Sequence, residues 1–266
     1  MTSESLHDSE LAADLAAALA ADEFYLVYQP EIDLHTNAFA GVEALIRWRH
    51  ATRGVVSPAD FLPLLESTGD IVTVGRWTLE TACVQGAEWH AKGYRFPVAV
   101  NVSRQQLRQV SFVDDVTRSV RHSRLDPAHL TLEFSHRALD EPEIVEHVIE
   151  LHARGVHLAI DDFSPEHPAF DTLRHWPIDI VKLDRAFVAA NADTDDGAAL
   201  IRSLVRDARE LHLRVIASGV EDESQRLALR NEQVDVGQGF HFARPFDAQE
   251  IDHFLEDFAL FSGKPL

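Results

Sequence analysis

Cysteine and long apolar segments are scarce in this chain of 266 residues. The single cysteine, Cys83, cannot form a disulfide within the chain, which excludes a disulfide-stapled fold and fits a reducing compartment. No apolar run reaches the roughly 18 residues that a membrane helix requires. The first eight residues, MTSESLHD, lack the basic start of a signal peptide. We therefore expect a cytoplasmic protein without a membrane segment.

Basic residues are also few, with 24 Lys and Arg against 44 Asp and Glu, and the formal net charge is −20. A surface of this sign argues against binding to nucleic acid polymers and to anionic membranes. It does not exclude a small anionic ligand, because a bound metal can reverse the local field. No linker, low-complexity segment or repeat divides the chain, and 45% hydrophobic residues suffice for one sizeable core.

Apolar runs that are typical of strands alternate with helical segments along the chain. The first two runs, 24–34 and 39–48, are separated by a short polar gap, which predicts an antiparallel hairpin. Six more strands are predicted at 97–102, 130–134, 156–161, 178–183, 213–217 and 234–236, with helices between them. This pattern predicts an α/β fold, a modified (β/α)8 TIM-like barrel with an antiparallel first strand. We expect residues 1–22 to form a polar tail and helix, and residues 23–266 to form one barrel domain.

Two adjacent carboxylates, Asp161 and Asp162, end the buried-strand pattern of residues 156–163. Burying unpaired charge is unfavourable, and two neighbouring carboxylates repel each other. A bound cation is the simplest compensation. The pair therefore predicts a metal site at the end of this strand.

Other polar residues fall at or near the ends of the predicted strands, which meet at one mouth of such a barrel. A single member of this set is most simply a polar group at a loop, but the whole set predicts a shared site. Carboxylate and amide oxygens without histidine suit Mg²⁺, Mn²⁺ or Ca²⁺ better than zinc. Two metals sharing Asp161 would suit attack of hydroxide on a phosphodiester, with Lys182 orienting the water. The set comprises Glu43, Asn101, Glu133, Asp161, Asp162, Lys182, Asp184, Glu221 and Gln238.

The ordered series of motifs resembles the EAL-domain cyclic-di-GMP phosphodiesterases over about residues 24–254. The matching segments are YQP at 28–30, GVEALIRW at 41–48, PADF at 58–61, GRW at 75–77, VNVS at 100–103, LE at 132–133, AIDDF at 159–163, KLDR at 182–185, GVE at 219–221, QGF at 238–240 and RP at 244–245. The resemblance implies a barrel that binds cyclic-di-GMP with Mg²⁺ or Mn²⁺, with Ca²⁺ as an inhibitory alternative. It also implies a homodimer, and the sequence does not identify a protein partner.

The resemblance also implies roles for individual residues. Glu43, Asn101, Glu133 and Asp161 would hold the first metal, and Asp161 with Asp162 the second. Lys182 would position the attacking water, with Glu221 as a further catalytic candidate. Arg47 would contact a phosphate of the dinucleotide and Leu45 would pack against a base. The implied ligand-binding set is Gln29, Leu45, Arg47, Asp184, Gln238 and Pro245.

Three positions depart from the family pattern. Ser218 stands where the family has a glutamate tied to the second metal and to proton abstraction. Serine is too short and too weakly basic to replace a general base. The loss of the glutamate carboxylate also weakens the second metal site. His136 replaces a glutamate that steadies the loop after the double aspartate. That loop, residues 164–169, has lost both family glycines and gained two prolines, which changes its accessible backbone geometry.

Three functions follow from this mixture of retained and lost residues. The first is a degenerate EAL domain, inactive or strongly impaired, that serves as a cyclic-di-GMP receptor or regulatory protein. The second is a slow metal-dependent phosphodiesterase that hydrolyses cyclic-di-GMP to the linear dinucleotide pGpG. The third is a barrel that binds no nucleotide and acts through protein contacts alone.

Overall fold

The computed structural model describes residues 11–164 and 170–262, apart from residues 13 and 16. The strands are β1 (Phe24–Asp33), β2 (Phe39–His50), β3 (Gly54–Val56), β4 (Val98–Asn101), β5 (Leu130–Ser135), β6 (His157–Phe163), β7 (Ile180–Leu183), β8 (Arg214–Ser218) and β9 (Val236–Gln238). The helices are α1 (Pro58–Thr68), α2 (Ile71–Ala91), α3 (Arg104–Leu107), α4 (Phe112–Ser123), α5 (Pro142–Ala153), α6 (Phe170–Leu173), α7 (Arg185–Asn191), α8 (Asp195–Glu210), α9 (Glu223–Asn231) and α10 (Ala248–Ser262). In this part of the chain no helix is both long enough and apolar enough to cross a bilayer.

The strands close into a barrel. Their order is β1-β9-β8-β7-β6-β5-β4-β2, the β1–β2 pairing closes the ring, and β3 extends β2. β1 runs antiparallel to both β2 and β9, and the remaining barrel pairs are parallel. The predicted barrel with an antiparallel first strand is therefore confirmed. Because β1 runs against its neighbours, Gln29 lies opposite Glu43 in the register.

Local sequence signals begin the helices around this barrel. Ser57 caps α1 by accepting a hydrogen bond from the Ala59 backbone N–H, and Pro58 occupies the first helical position. Ser103 and Gln106 form a reciprocal capping box at α3. These caps satisfy backbone donors that a short helix leaves unpaired. They fix the chain directly after β2–β3 and directly after β4, close to the predicted site.

Buried polar side chains concentrate on the barrel strands. An apolar core lies between the sheet and the surrounding helices, and a second cluster joins Leu11 and Leu15 to Phe24, Trp48 and Phe61. The barrel strands themselves carry charged and amide groups where branched aliphatic residues usually fill such a barrel. The buried polar residues of these strands are Glu31, Glu43, His50, Thr131, Glu133, Lys182 and Gln238.

The structure adds elements that the sequence pattern did not predict. β3 is three residues long and pairs only with β2, so it lacks a periodic signal of its own. The helices α3 and α7 are four and seven residues long, too short for a clear helical repeat. The last strand lies at Val236–Gln238 instead of 234–236, so Gln238 is the final residue of β9. Residues 165–169 of the altered loop lie outside the described residues.

His157 at the start of β6 and Asp179 just before β7 form an ion pair, with 3.5 Å between His157 Nδ1 and Asp179 Oδ2. The hydrogen bond to Asp179 raises the pKa of His157, and partial burial opposes this rise. Burial would raise the pKa of Asp179, but hydrogen bonds from His157 and from the Leu158 backbone N–H outweigh it and lower that pKa. The histidine contribution to stability is present below about pH 6.5 and is lost as pH rises through the folded pKa. The aspartate contribution is present above about pH 4 and is lost as pH falls.

We therefore expect His157→Gln to lower the melting temperature most at about pH 5.5 and least at about pH 8.5, where a neutral His157 no longer completes the ion pair. Differential scanning calorimetry at both pH values measures this difference. His122→Gln, which alters an exposed histidine on α4, is the matched control. An equal loss at both pH values would show that His157 acts through packing instead of charge.

Candidate functional site

Lys182 lies at the centre of the candidate site. Its side chain projects from β7, is 1% exposed, and donates hydrogen bonds to two carboxylates. The distances are 2.9 Å from Nζ to Glu43 Oε2 and 2.7 Å from Nζ to Glu133 Oε2. Burial opposes the charged form of Lys182, but the surrounding carboxylates prevail and hold its pKa well above its usual value. Lys182 is therefore a buried ammonium that joins β2, β5 and β7.

Glu43 is the best satisfied of these carboxylates. Asn101 Nδ2 donates to its Oε1 at 2.6 Å, and Gln238 Nε2 donates to its Oε2 at 2.7 Å. Burial alone would raise the pKa of Glu43, but the charge of Lys182 and these hydrogen bonds lower it overall. Glu43 is therefore held as an anion by residues from three other strands.

Glu133 carries an unsatisfied oxygen. One carboxylate oxygen accepts from Lys182, whereas Oε1 is buried and has no hydrogen-bond partner. Burial raises the pKa of Glu133 well above its usual value, and Lys182 only partly opposes the rise. A buried acceptor without a partner is unfavourable unless a further group fills the position. The site therefore has spare oxygen ligand capacity at Glu133.

Asp161 and Asp162 lie in a β-bulge. Ile160 pairs with Val181 and Phe163 with Leu183, so both aspartates lie opposite the single residue Lys182. Asp162 adopts a left-handed backbone with φ of 52°, which is uncommon for residues other than glycine. Bulges of this kind redirect side chains next to functional sites. Burial raises the pKa of Asp161 to about 6, although Lys182 opposes this shift.

A cavity of about 210 Å³ opens above this network. Ser218, the last residue of β8, contributes to its wall, and Gly219 follows with φ of 76°. A side chain at Gly219 would meet Arg185 Cγ at 2.2 Å, so this tight turn requires glycine. Arg185 in turn donates to Glu221 Oε1 at 2.5 Å. The cavity is lined by Gln29, Glu43, Asp161, Asp162, Lys182, Arg185, Ser218, Gly219, Glu221, Gln238, Gly239 and Phe240.

A second cavity of about 240 Å³ lies between β2, α1, α2 and the chain after β4. Leu45 and Arg47 line it, together with Asn101, whose amide also bonds Glu43. Partial burial lowers the pKa of Arg47, while the guanidinium donates to its neighbour's backbone oxygen, Ile46 O, at 2.8 Å. Asn101 therefore connects the apolar second cavity to the carboxylates around Lys182.

The oxygen-rich chemistry of the carboxylates fits a hard divalent cation. As arranged in the described residues, no three His, Cys, Asp or Glu side chains converge closely enough to hold a metal ion. The Lys182 ammonium instead occupies the position between Glu43 and Glu133. The unsatisfied Glu133 Oε1 and the half-buried Asp161 show that one ammonium does not exhaust the negative charge. The donor set therefore fits a metal, provided that the carboxylates turn from Lys182 toward it.

The remaining predicted residues lie at several places. Gln29 lines the first cavity and donates to Ala243 O at 3.2 Å. Asp184 caps α7 by accepting from the Phe187 backbone N–H at 2.9 Å, and it lines neither of the two cavities. Pro245 lines neither of them either. The structure thus brings most of the predicted residues to the two cavities, whereas Asp184, Pro245 and the buried Glu133 line neither of them.

Three residues of the site were missed in the sequence. Glu31 lies on β1 two residues beyond Gln29, on the same face of the strand, and is 5% exposed. Arg185 ends the KLDR segment, and Phe240 ends the QGF segment. Phe240 is 47% exposed and lies 4.3 Å below the guanidinium of Arg244, measured to the ring centroid. The alternation of β1 would have found Glu31, and the motif neighbours would have found the other two.

Comparison with known proteins identifies the family. The EAL domain family model matches residues 12–245. The chain is 35% identical over 254 residues to the bifunctional diguanylate cyclase/cyclic di-GMP phosphodiesterase MucR of Pseudomonas aeruginosa, covering 94% of this chain and 37% of MucR. It is 32% identical over 260 residues to the cyclic di-GMP phosphodiesterase NbdA of the same organism, covering 97% of this chain and 33% of NbdA.

Solved structures agree with this assignment. The MucR phosphodiesterase in complex with c-di-GMP superposes with a TM-score of 0.86 at 35% identity, over 91% of this chain and 99% of that chain. The EAL enzyme Bd1971 in its cAMP and cyclic-di-GMP bound form gives a TM-score of 0.89 at 25% identity, over 95% of this chain and 70% of that chain. The chain belongs to the EAL domain family. It spans about a third of the length of MucR and NbdA.

Proposed function

We propose that this EAL domain is a cyclic-di-GMP receptor in which hydrolysis is abolished or strongly impaired. The observation that carries the proposal is Ser218, which lines the first cavity where the family pattern has a glutamate. The hydroxyl of serine accepts a proton from water far less readily than a carboxylate does. The cavity keeps Glu43, Asp161, Asp162 and Lys182 of the family site, and Glu133 is hydrogen-bonded to Lys182, but the family base is lost.

Retained ligand-contacting residues support binding. Arg47 and Leu45 line the second cavity, and Gln29 lines the first. A guanidinium suits a phosphate, and an apolar side chain suits the face of a base. The related MucR phosphodiesterase has been solved as a c-di-GMP complex. This likeness, with the retained residues, supports cyclic-di-GMP as the ligand of this chain.

The residues that would hold Mg²⁺ or Mn²⁺ are Glu43, Asn101, Glu133 and Asp161, with Asp162 toward a second ion. A divalent metal in such a site polarises the phosphodiester and lowers the pKa of bound water. In this chain Asn101 and Gln238 orient the Glu43 carboxylate. Lys182 is placed to hold a water or a phosphate oxygen once its carboxylate partners turn away. The loss of the family glutamate at Ser218 leaves proton removal from that water as the step without a dedicated residue.

Slow hydrolysis is the second candidate function, and one observation favours it. Glu221 lines the same cavity as Asp161 and Asp162, so a carboxylate is still present three residues after Ser218. Glu221 forms an ion pair with Arg185, and this pair holds the Glu221 carboxylate beside the guanidinium. If the domain is a slow phosphodiesterase, Glu43→Ala abolishes turnover, whereas persistent turnover in that variant would indicate a contaminating enzyme.

A binding titration read beside a product assay separates the candidates. Calorimetry with cyclic-di-GMP, with and without Mg²⁺, measures binding, and chromatography of the same samples detects linear pGpG. We expect binding without appreciable turnover at high protein concentration. Rapid linear formation of pGpG would overturn the receptor proposal, and absence of binding would favour a barrel that acts through protein contacts alone.

Assembly as a homodimer and a cytoplasmic location belong to the same proposal, and light scattering with and without ligand tests the dimer.

Arg47→Ala is expected to weaken cyclic-di-GMP binding by about 10–100-fold, since a charge-assisted hydrogen bond contributes roughly 1.5–3 kcal/mol. The measurement is the same calorimetric titration. Arg121→Ala is the matched control, because Arg121 is exposed on α4 beside another cavity. Equal affinities of the native chain and Arg47→Ala for cyclic-di-GMP would contradict a phosphate-binding role for Arg47.

A further inference from the structure

Glu31 is a buried carboxylate that the proposed roles leave unused. Its side chain is 95% buried, since its exposure is 5%, and its Oε1 atom has no hydrogen-bond partner. It lies opposite Gln238 of β9 and Gly41 of β2, two positions along the strands from the Gln29–Glu43 pair and on the same face. Glu31 therefore belongs to the layer of the barrel directly beneath the candidate metal site.

The surroundings of Glu31 make room for its carboxylate. A side chain added at Gly41 would lie 3.2 Å from Glu31 Oε2 and 3.0 Å from Pro97 O, closer than most such contacts. Gly41 thus leaves the space that the Glu31 side chain occupies on the neighbouring strand. An unpaired carboxylate in such a position reduces the stability of the fold. Its presence there therefore indicates a role other than stabilisation. The packing shows that this carboxylate is accommodated, while its hydrogen bonding is incomplete.

The charges around Lys182 indicate what that role is. Four carboxylates act on the Lys182 ammonium: those of Glu133, Glu43, Asp161 and Glu31. Three of them, Glu43, Glu133 and Asp161, would also supply oxygen atoms to the proposed metal, and Glu31 alone would not. A divalent cation bound by these three would lie beside the ammonium, and like charges at such a distance repel strongly in a buried site. Only a further negative charge lets the lysine and the metal share this interior.

We propose that Glu31 is a positioning residue that balances the charge of Lys182 when the other carboxylates turn to a divalent cation. The inference rests on the proposed metal site and adds Glu31 to it as a residue that does not touch the metal. Burial raises the pKa of Glu31, and the attraction of Lys182 opposes that rise. A cation beside Glu43 and Asp161 removes part of the negative charge that surrounds Glu31, which favours its ionised form.

The test is calorimetric titration of Mn²⁺ alone into the native chain and three variants, with melting temperatures measured in chelator. Glu31→Gln keeps the shape and removes the charge, so we expect Mn²⁺ affinity to fall about 10-fold or more, as for other supporting residues of metal sites. Glu31→Asp keeps the charge and is expected to retain most of the affinity. Glu232→Gln removes a buried carboxylate that pairs with Arg202 outside the barrel, and it should leave Mn²⁺ binding unchanged.

The melting temperature distinguishes this role from simple packing. In chelator, Glu31→Gln is expected to melt at or above the native temperature, because burial disfavours the ionised form of this carboxyl group when no metal is bound. A lower melting temperature would show that Glu31 is structural and overturn the proposal. If the native chain and Glu31→Gln bind Mn²⁺ equally well, the role of Glu31 alone is overturned. If the native chain binds no Mn²⁺, the proposed metal site fails, and the role of Glu31 fails with it.

Discussion

A Ser218→Glu variant is expected to hydrolyse cyclic-di-GMP about 10²–10⁴ times faster than the native chain, the usual contribution of a positioned general base. Ser218 is half-buried at the end of β8 and lines the cavity that also contains Asp161 and Asp162. A glutamate there points a carboxylate into the cavity without crossing the barrel core. The same carboxylate adds an oxygen ligand for a second metal, so the gain should be larger with Mg²⁺ or Mn²⁺ present than in chelator.

Ser218→Gln is the control for this gain of activity. Glutamine has the length of glutamate but accepts no proton at neutral pH, so it should leave turnover at the native level. The measurement is pGpG released per protein per minute at saturating cyclic-di-GMP, determined by chromatography. Efficient turnover by the native chain would contradict the impaired-enzyme proposal directly. An inactive Ser218→Glu variant that still binds ligand would place the defect elsewhere, with the altered loop and His136 as the next positions to test.

Lys182→Met is expected to reduce the free energy of unfolding by about 3–5 kcal/mol in chelator, the usual result of removing one partner of a buried ion pair. Lys182 is 1% exposed and bonds two carboxylates on separate strands. Without its ammonium, Glu43 and Glu133 lose their cation inside the barrel. Urea denaturation monitored by circular dichroism measures the loss.

Two further variants separate charge from packing. Lys92→Met removes an exposed lysine that pairs with Asp252, and a surface pair of this kind contributes at most about 1 kcal/mol. Lys182→Met combined with Glu133→Gln removes one charge of each sign and should recover part of the lost stability. If Lys182→Met is as stable as the native chain in chelator, the network around Lys182 does not support the barrel.

Much of the architecture was predictable from periodicity. The hairpin of β1 and β2 followed from two apolar runs with a short polar gap, and the later β-α alternation indicated a parallel barrel. The short elements β3 and α3 were not predicted, because they contain too few residues to show a periodic pattern. The end of the last strand was misplaced because Gly237 and Gln238 carry no strand propensity of their own. Pairing with β1 and β8 holds them in the sheet.

The sequence predicted which residues form the site better than it predicted how their side chains are arranged. The strand-end rule indicated that Glu43, Glu133 and Lys182 share one mouth, and the structure brings them within hydrogen-bond distance. The sequence did not show that Lys182 would bond both glutamates, because side-chain pairing depends on barrel register. The bulge at Asp161 and Asp162 was also beyond sequence reasoning, since neither glycine nor proline marks it. Roles of individual residues toward metal and ligand stay predictions until the titrations are made.

The hydrogen bonds of Lys182 have a consequence for the life of the protein in the cell. Because an internal ammonium already bridges the carboxylates of β2 and β5, the barrel can complete its folding before any divalent ion arrives. We therefore expect the yield of folded protein to be independent of the supply of magnesium or manganese. On the proposed function, metal availability would govern only whether the finished domain binds its ligand, which separates protein abundance from signalling competence.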